Sequence, residues 1–194
     1  MNKTTTIVLG VGLTLAGALW LLATGPVRLA MLPPAAAQAE HAKQELAMDI
    51  RDLQLPNMGQ PLEGVITAGQ PSPEAFEKLN AAGIKTVVSL RMPGEAGRWG
   101  EQDKAQQMGL RFVSIPIGGS QDLTRENVQK LADVLAQESG DILVYCGSSN
   151  RVGALLALRA AWLQGADVDS ALELGRAAGL TSLADAVRNA LQAG

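Results

Sequence analysis

The residues best suited to chemistry lie close together near position 150. A buried strand ends at Tyr145, and Cys146, a short polar loop and then Arg151 at the start of an apolar helix follow it. The loop consists of four small or turn-forming residues, Gly147, Ser148, Ser149 and Asn150. Successive backbone N–H groups in such a loop can form an anion-binding nest, and the N-terminus of the helix adds partial positive charge. The segment therefore predicts a site for a tetrahedral oxyanion.

Cys146 is the candidate nucleophile at this site. It is the only cysteine in the 194 residues, so it has no partner for an intrachain disulfide. The field that attracts an oxyanion also stabilises a thiolate, while Arg151 can grip the oxyanion through two parallel hydrogen bonds. We therefore predict a thiolate that attacks phosphorus or a sulfane sulfur. The alternative is a small buried Cys146 and a surface Arg151, because free cysteines are often buried.

The elements around this segment alternate between strands and helices. Strands are predicted at 64–68, 84–90, 110–117 and 142–145, and helices at 72–83, 102–108, 151–163, 169–178, 182–191 and from Thr124 onward. Segment 84–90 is almost continuously apolar, which is typical of a buried parallel strand. This order predicts an α/β fold with a mainly parallel sheet flanked by helices. Ligands of such sheets bind at the carboxyl ends of the strands, where Cys146 lies.

The N-terminal residues have a different composition. Segment 7–23 is apolar, and no charge occurs between Lys3 and Arg28. About 17 residues is the lower limit for a membrane-spanning helix. Residues 1–31 are therefore predicted to form a hydrophobic helix that is either a signal peptide, cleaved after Ala39, or an uncleaved signal anchor. A buried core helix is the third alternative.

Two consequences follow for organisation and location. Residues 32–58 are predicted to be a linker, and residues 59–194 the folded domain. Both export alternatives place this domain on the periplasmic side of the cytoplasmic membrane, either released or anchored. The membrane is a partner of the protein if the N-terminal segment is not cleaved.

Composition excludes several classes of function. The net charge is −3 and the pI about 5.2, so a nucleic-acid partner is not expected. The single histidine is His41, in the predicted linker, which argues against a Ser-His-Asp triad and a histidine zinc site. No GxxxxGK[ST] motif for nucleotide phosphates occurs. We therefore expect no metal and no cofactor, and the expected partner is a phosphorylated or other oxyanionic substrate.

Several short motifs in the chain point to one family. They are Gly69-Gln70-Pro71-Ser72, Pro93-Gly94-Glu95 and segments 82–91, 115–117 and 146–153. Together they resemble the phosphatase-like domain of beta-lactamase-hydrolase-like proteins, a family related to the tyrosine and dual-specificity phosphatases. The resemblance covers nearly the whole predicted domain. It implies a cysteine-phosphatase-like fold with Cys146 as nucleophile and Arg151 as oxyanion binder.

The same resemblance implies a general acid on the loop that precedes the third helix. Asp122 is the residue in that position, and it would protonate the leaving oxygen. Alternatively, Asp122 only stabilises the start of the helix at Thr124, where a carboxylate interacts favourably with the helix dipole. Arg91 and Glu95 lie on another loop at the same edge of the sheet, and we expect them mainly to pair with each other.

Some residues depart from the phosphatase pattern. Four residues separate Cys146 from Arg151 instead of five, and four is the spacing of rhodanese-like sulfurtransferases. Tyr145 stands where phosphatases usually have His, and Val152 where Ser or Thr usually helps the thiolate leave. Ser149 occupies a position where Gly is common, which predicts a strained loop. Three functions are therefore open: a phosphatase-like hydrolase that forms a phosphocysteine, a rhodanese-type sulfurtransferase that carries a persulfide on Cys146, and a non-catalytic oxyanion-binding module.

Overall fold

A five-stranded sheet organises the fold in the computed structural model, which describes residues 48–138 and 140–193. The strands are β1 (Gly59–Leu62), β2 (Val65–Ala68), β3 (Ile84–Ser89), β4 (Arg111–Ser114) and β5 (Asp141–Tyr145). The helices are α1 (Pro73–Glu77), α2 (Glu101–Gln107), α3 (Arg125–Gln137), α4 (Asn150–Gln164), α5 (Val168–Ala177) and α6 (Ala184–Ala193). Short 3-10 helices occur at Ile50–Leu53 and Ser120–Asp122.

The strand order places β5 at the centre of the sheet. The order is β1-β2-β5-β3-β4, and every pair is parallel except β1 with β2. Tyr145, the last residue of β5, is in register with Ala68 of β2 and with Ser89 of β3. Three strands therefore end at the same level, and the chain that leaves β5 emerges between two neighbours. The predicted α/β fold with a mainly parallel sheet is confirmed.

Helices cover both faces of the sheet. On one face, helices α3 to α6 pack on a large apolar cluster that includes Val88, Val144, Leu131, Leu155 and Leu172. On the other face, α1, α2 and the first 3-10 helix pack on a smaller cluster. Burial of these apolar side chains is the main force that holds the layers together. The central strand is buried from both sides, which is why its sequence is almost continuously apolar.

Local signals account for several helix starts. The Ser72 hydroxyl accepts a hydrogen bond from Ala75 N at 3.1 Å, and the Thr124 hydroxyl accepts one from Asn127 N at 3.2 Å. Both are N-cap bonds that satisfy otherwise unpaired helix donors. Helix α1 is shorter than predicted. It ends at Glu77, and a series of turns connects it to β3. Strand β1 was not predicted, since its sequence Gly-Gln-Pro-Leu lacks apolar alternation.

The segment before β1 contributes to the core. Leu53 and Leu55, which the sequence analysis assigns to the linker, are buried on the α1 and α2 side of the sheet. Pro56 O also accepts a hydrogen bond from Gly69 N at 2.6 Å, which joins this segment to the end of β2. The predicted N-terminal hydrophobic helix lies outside the described residues. Among the residues that are described, no helix has both the length and the apolarity required to cross a membrane.

Candidate active site

Cys146 is the first residue after the central strand. Cys146 N donates to Ala68 O of β2 at 3.3 Å, while the preceding carbonyl, Tyr145 O, accepts from Leu90 N at 2.9 Å. Neighbours on both sides therefore fix the backbone at the point where the chain leaves the sheet. The Cys146 side chain is only 1% exposed and belongs to the apolar cluster on the α4 side.

The loop after Cys146 is held by its carbonyl groups. Gly147 O accepts from Gln70 N at 3.3 Å, and Ser148 O accepts from the Asn57 side-chain amide at 3.2 Å. In a trans peptide the N–H group points opposite to the carbonyl. The N–H groups of Ser148 and Ser149 therefore point away from Gln70 and Asn57. This geometry suits a loop whose N–H groups bind an anion.

Ser149 has the left-handed backbone conformation expected for a strained position. Its φ is 67°, a region that glycine adopts far more readily than serine. The hydroxyl is completely buried and donates to Ala178 O at 2.8 Å. Gly179 packs against this side chain so closely that a Cβ added to it would lie 2.5 Å from Ser149 Cβ. The loop between α5 and α6 therefore compensates for the strain at Ser149.

The Asn150 side chain binds the same C-terminal loop. Its Oδ1 accepts hydrogen bonds from Thr181 N at 2.8 Å and Leu183 N at 3.3 Å, and its Nδ2 donates to the Ser182 hydroxyl at 2.8 Å. Both the oxygen and the nitrogen of the amide are thus bonded to this loop. Asn150 therefore contributes its backbone, rather than its side chain, to the predicted oxyanion loop.

Arg151 is held by a carboxylate from a distant loop. Nη2 donates to Glu95 Oε1 at 2.7 Å and Nη1 donates to Glu95 Oε2 at 2.9 Å. Nη1 also donates to Ile117 O at 2.7 Å. A Cβ added to Gly147 would lie 3.3 Å from Arg151 Nη2 and 3.5 Å from Glu95 Oε1, so the ion pair lies directly beside the loop.

The charges at the site reinforce one another. The hydrogen bond from Arg151 holds the pKa of Glu95 at about 2, and attraction by Arg91 contributes in the same direction. The pKa of Arg151 is raised, first by its hydrogen bond to Glu95 and further by its attraction to Cys146; burial acts in the opposite direction. Cys146 and Arg151, the two residues singled out from the sequence, therefore lie close enough to interact electrostatically.

Asp122 lies on a loop at the same edge of the sheet. Its Oδ2 accepts hydrogen bonds from Gly118 N at 2.6 Å and from the Gln121 side chain at 3.4 Å. A Cβ on Gly118 would lie 3.2 Å from Asp122 Oδ2 and 3.6 Å from Met92 Sδ, so the loop with Asp122 approaches the loop with Glu95. The Asp122 backbone carbonyl accepts a hydrogen bond from the Asn127 side chain in the first turn of α3 at 2.9 Å. This position is compatible with both roles considered for Asp122.

The two residues that depart from the phosphatase pattern are both buried. Tyr145 packs in the apolar cluster opposite the one that contains Cys146, and burial raises the pKa of its phenol to about 12. Val152 is fully buried in the α4 cluster. Within the described part of the chain, the Tyr145 hydroxyl makes no hydrogen bond. Neither residue therefore takes over the work of the His or Ser/Thr it replaces.

Sequence reasoning missed several residues that support the site. Asn57 lies in the predicted linker, and Glu95 was expected to pair mainly with Arg91. That pair does form, with Arg91 Nε 3.1 Å from Glu95 Oε1, but Glu95 binds Arg151 as well. Gln70 belongs to the Gly-Gln-Pro-Ser motif directly after β2. Because ligands of parallel sheets bind at the carboxyl ends of strands, this position could have indicated that Gln70 supports the site.

A mainly parallel sheet whose central strand ends in a cysteine, a short loop and an arginine at a helix start is the arrangement of cysteine-phosphatase-like domains. A family model described as "DSP-PTPase phosphatase fused to NAD+ Kinase" matches residues 57–189. The chain therefore belongs to this family of phosphatase-like enzymes. The predicted membership in the tyrosine and dual-specificity phosphatase-like superfamily is confirmed.

Curated relatives match part of the chain, and solved structures share its fold. The beta-lactamase hydrolase-like proteins of Xylella fastidiosa strains Temecula1 and 9a5c are 30% identical over 100 residues, which is 50% of this chain and 23% of each relative. The matched segment thus spans about a quarter of the length of these relatives. A DUF442 protein of Shewanella putrefaciens CN-32 shares the fold with a TM-score of 0.58 and 21% identity, over 75% of this chain and 97% of that one. TpbA of P. aeruginosa shares it with a TM-score of 0.52 and 19% identity, over 72% and 85%.

Proposed function

We propose that this protein hydrolyses a phosphate ester through a phosphocysteine on Cys146. The observation that supports the proposal is the position of the Arg151 guanidinium beside the loop that follows Cys146, close enough to attract the Cys146 sulfur, while the loop carbonyls are held from the opposite side. A guanidinium next to the sulfur stabilises a thiolate and binds the phosphoryl oxygens that the thiolate must approach. The substrate class is therefore a phosphorylated molecule.

The reaction takes place in two steps. The Cys146 thiolate attacks phosphorus, so that an S–P bond forms while the bond between phosphorus and the leaving oxygen breaks. Asp122 gives its proton to the leaving oxygen. A water molecule then attacks phosphorus, Asp122 takes up a proton of that water, and the S–P bond breaks to release phosphate and the thiolate. Arg151 and the loop N–H groups stabilise the charge on the phosphoryl oxygens in both steps.

The test uses the full-length chain and para-nitrophenyl phosphate. We expect hydrolysis by the wild type, no hydrolysis by Cys146→Ser, and a phosphoryl group on Cys146 in mass spectra of protein quenched in acid during turnover. Circular dichroism checks that the serine variant is folded. Equal rates for wild type and Cys146→Ser would reject the proposal.

One observation favours a second candidate, a rhodanese-type sulfurtransferase. The loop has only four residues between Cys146 and Arg151, which makes a tight cradle. In this reaction the Cys146 thiolate attacks the outer sulfur of thiosulfate, the S–S bond breaks and sulfite leaves. Cyanide then attacks the persulfide, and thiocyanate and the thiolate are released. Wild type with thiosulfate would gain one sulfur atom on Cys146; an unchanged mass would count against this candidate.

The third candidate is a non-catalytic module that binds oxyanions. The buried Cys146 and the replacement of the release-assisting hydroxyl by Val152 favour it. Tungstate is a suitable probe because it resembles phosphate but cannot be turned over. Binding of tungstate without turnover of either substrate would select this candidate.

We also propose that residues 1–31 export the protein and either anchor it in the membrane or are removed. The support is the uncharged apolar segment 7–23. A fusion of residues 1–58 to alkaline phosphatase lacking its own signal tests this, because that reporter is active only after export. A fusion that accumulates but stays inactive would contradict export.

A further inference from the structure

Two buried charged side chains lie behind the oxyanion loop and have no part in the proposed reaction. Arg91 is 4% exposed and Glu101, at the start of α2, is 1% exposed. Gln70 lies between them: its Oε1 accepts from Arg91 Nη1, and its Nε2 donates to Glu101 Oε1 at 3.0 Å. A side-chain amide can accept from a cation and donate to an anion at the same time. The two charges therefore fix the orientation of the Gln70 amide.

The same contacts continue to the candidate active site. Arg91 Nε donates to Glu95 Oε1 at 3.1 Å, and that oxygen also accepts from Arg151 Nη2 at 2.7 Å. Each side chain thus bonds to the next in a series of five residues: Glu101, Gln70, Arg91, Glu95 and Arg151. We call this series the Gln70 network.

Gln70 also contacts the loop through its backbone. Its N–H donates to Gly147 O at 3.3 Å, one of the two bonds that hold the loop carbonyls. One residue therefore joins the loop that surrounds the oxyanion site to the side chains that hold Arg151. The oxyanion loop follows β5, whereas Glu95, which holds Arg151, lies on the loop that follows β3. The alignment of these two loops therefore depends on contacts such as those of Gln70.

We infer that Gln70 is a positioning residue that aligns the Arg151 guanidinium with the oxyanion loop. The inference rests on the proposed function for its kinetic readout, whereas its anion-binding readout needs no turnover. Without the Gln70 oxygen, Arg91 Nη1 loses its acceptor, and the guanidinium is held only by the bonds of Nε to Glu95 and of Nη2 to Ala96 O, so it can turn and carry Glu95 with it. Glu95 is then drawn away from Arg151, and the affinity of the site for an oxyanion falls.

The first experiment compares wild type, Gln70→Leu and Gln106→Leu as full-length chains. Gln106 is exposed on α2 and serves as the matched control. Isothermal titration calorimetry measures tungstate affinity, and steady-state kinetics on para-nitrophenyl phosphate measure KM and kcat. We expect Gln70→Leu to weaken tungstate binding and raise KM about tenfold, with a smaller change in kcat, because a buried charge-assisted contact is lost. Gln106→Leu should behave as wild type.

A charge exchange separates positioning from general loss of stability. Gln70→Glu places two carboxylates face to face and should weaken tungstate binding. In the double variant Gln70→Glu/Glu101→Gln, residue 70 still accepts from Arg91, and residue 101 donates to residue 70 instead of accepting from it, so the bond is kept with its direction reversed. We expect the double variant to recover tungstate affinity to within about twofold of wild type, since residues in contact are energetically coupled. Thermal unfolding of all the variants measures separately how much each substitution lowers the stability of the fold.

The outcomes for the two proposals are distinct. Equal tungstate affinity and equal KM in wild type and Gln70→Leu would overturn the inference and leave the proposed function standing. A double variant as weak as Gln70→Glu would also overturn it. If wild type hydrolyses no aryl phosphate, the proposed function fails, while the tungstate affinities of the variants still decide whether Gln70 positions the site.

Discussion

Glu95 and Arg151 face each other through two parallel hydrogen bonds, at 2.7 and 2.9 Å, although 56 residues separate them in the chain. This paired geometry fixes the plane of the guanidinium as well as its position. It uses Nη1 and one hydrogen of Nη2, whereas Arg151 Nε makes no hydrogen bond within residues 48–138 and 140–193. The edge of the guanidinium formed by Nε and Nη2 is therefore the edge available to a substrate oxyanion.

Replacing Glu95 tests whether this pairing serves catalysis. Glu95→Gln retains the shape of the side chain but removes its charge and one acceptor oxygen. We expect kcat/KM on para-nitrophenyl phosphate to fall roughly tenfold, because Arg151 is no longer held in one orientation. Glu173→Gln, at an exposed position on α5, is the control and should leave kcat/KM unchanged. A rise in activity would show instead that Glu95 competes with substrate for Arg151.

The same pair predicts how stability depends on pH. The pKa of Glu95 in the folded protein is about 2, below its usual value of 4.5, so the folded state favours the ionised carboxylate. The resulting stabilisation is complete above pH 4.5 and is lost as the pH falls towards 2. Its upper limit is about 3 kcal/mol for a carboxylate as well shielded as this one.

Urea unfolding at pH 6, 4 and 3, followed by tryptophan fluorescence, measures this contribution. The free energy of unfolding of wild type should exceed that of Glu95→Gln most at pH 6, and the difference should shrink at each lower pH. A difference that stays constant over this range would mean that Glu95 is not ionised preferentially in the folded state. Glu173→Gln again provides the reference.

Asp122 is predicted to be the general acid, and leaving groups of different basicity test that role. Asp122→Asn keeps an acceptor for Gly118 N, so the loop should fold. We expect kcat/KM to fall about 10²- to 10⁴-fold for an alkyl phosphate, whose leaving oxygen needs a proton. The fall should be much smaller for para-nitrophenyl phosphate, and exposed Asp185→Asn should have no effect. Equal losses of kcat/KM for the two substrates would mean that Asp122 only stabilises the start of α3.

Two substitutions of Ser149 separate the effect of backbone strain on stability from the effect of its buried hydrogen bond. Ser149→Ala keeps a β-carbon at φ 67° and leaves Ala178 O without its partner, so a loss of about 1–3 kcal/mol in unfolding free energy is expected. Ser149→Gly loses the same bond but relieves the strain, and should therefore be about 1 kcal/mol more stable than the alanine variant. Chemical denaturation of both, with exposed Ser114→Ala as control, measures the difference. Equal stability of the two variants would refute strain at this position.

The parts of this fold that could be predicted are those specified by neighbouring residues. The apolar run of β3 and the caps at Ser72 and Thr124 depend on local patterns, and the structure contains them with small shifts in their bounds. Cys146 and Arg151 were found because they lie on either side of one short loop. The class of fold followed from the alternation of strands and helices.

The contacts that could not be predicted join segments far apart in the sequence. The Glu95–Arg151 pair depends on how two loops meet above the sheet, and no local pattern encodes that meeting. The bonds of the Asn150 side chain could not be predicted, because its partners, the backbone groups of Thr181 and Leu183, lie about 30 positions further along the chain. Asn57 was missed for the same reason, since its partner is Ser148.

Both ends of the described chain hold the oxyanion loop, and this arrangement restricts when the site can form during biosynthesis. Asn57 supports the loop from the N-terminal side, while Ala178 and the residues up to Leu183 support it from the C-terminal side. A nascent polypeptide still attached to the ribosome has its final residues inside the exit tunnel. The oxyanion loop therefore cannot be held from both sides until the residues up to Leu183 have left the tunnel, which is well after Cys146 and Arg151 themselves have emerged.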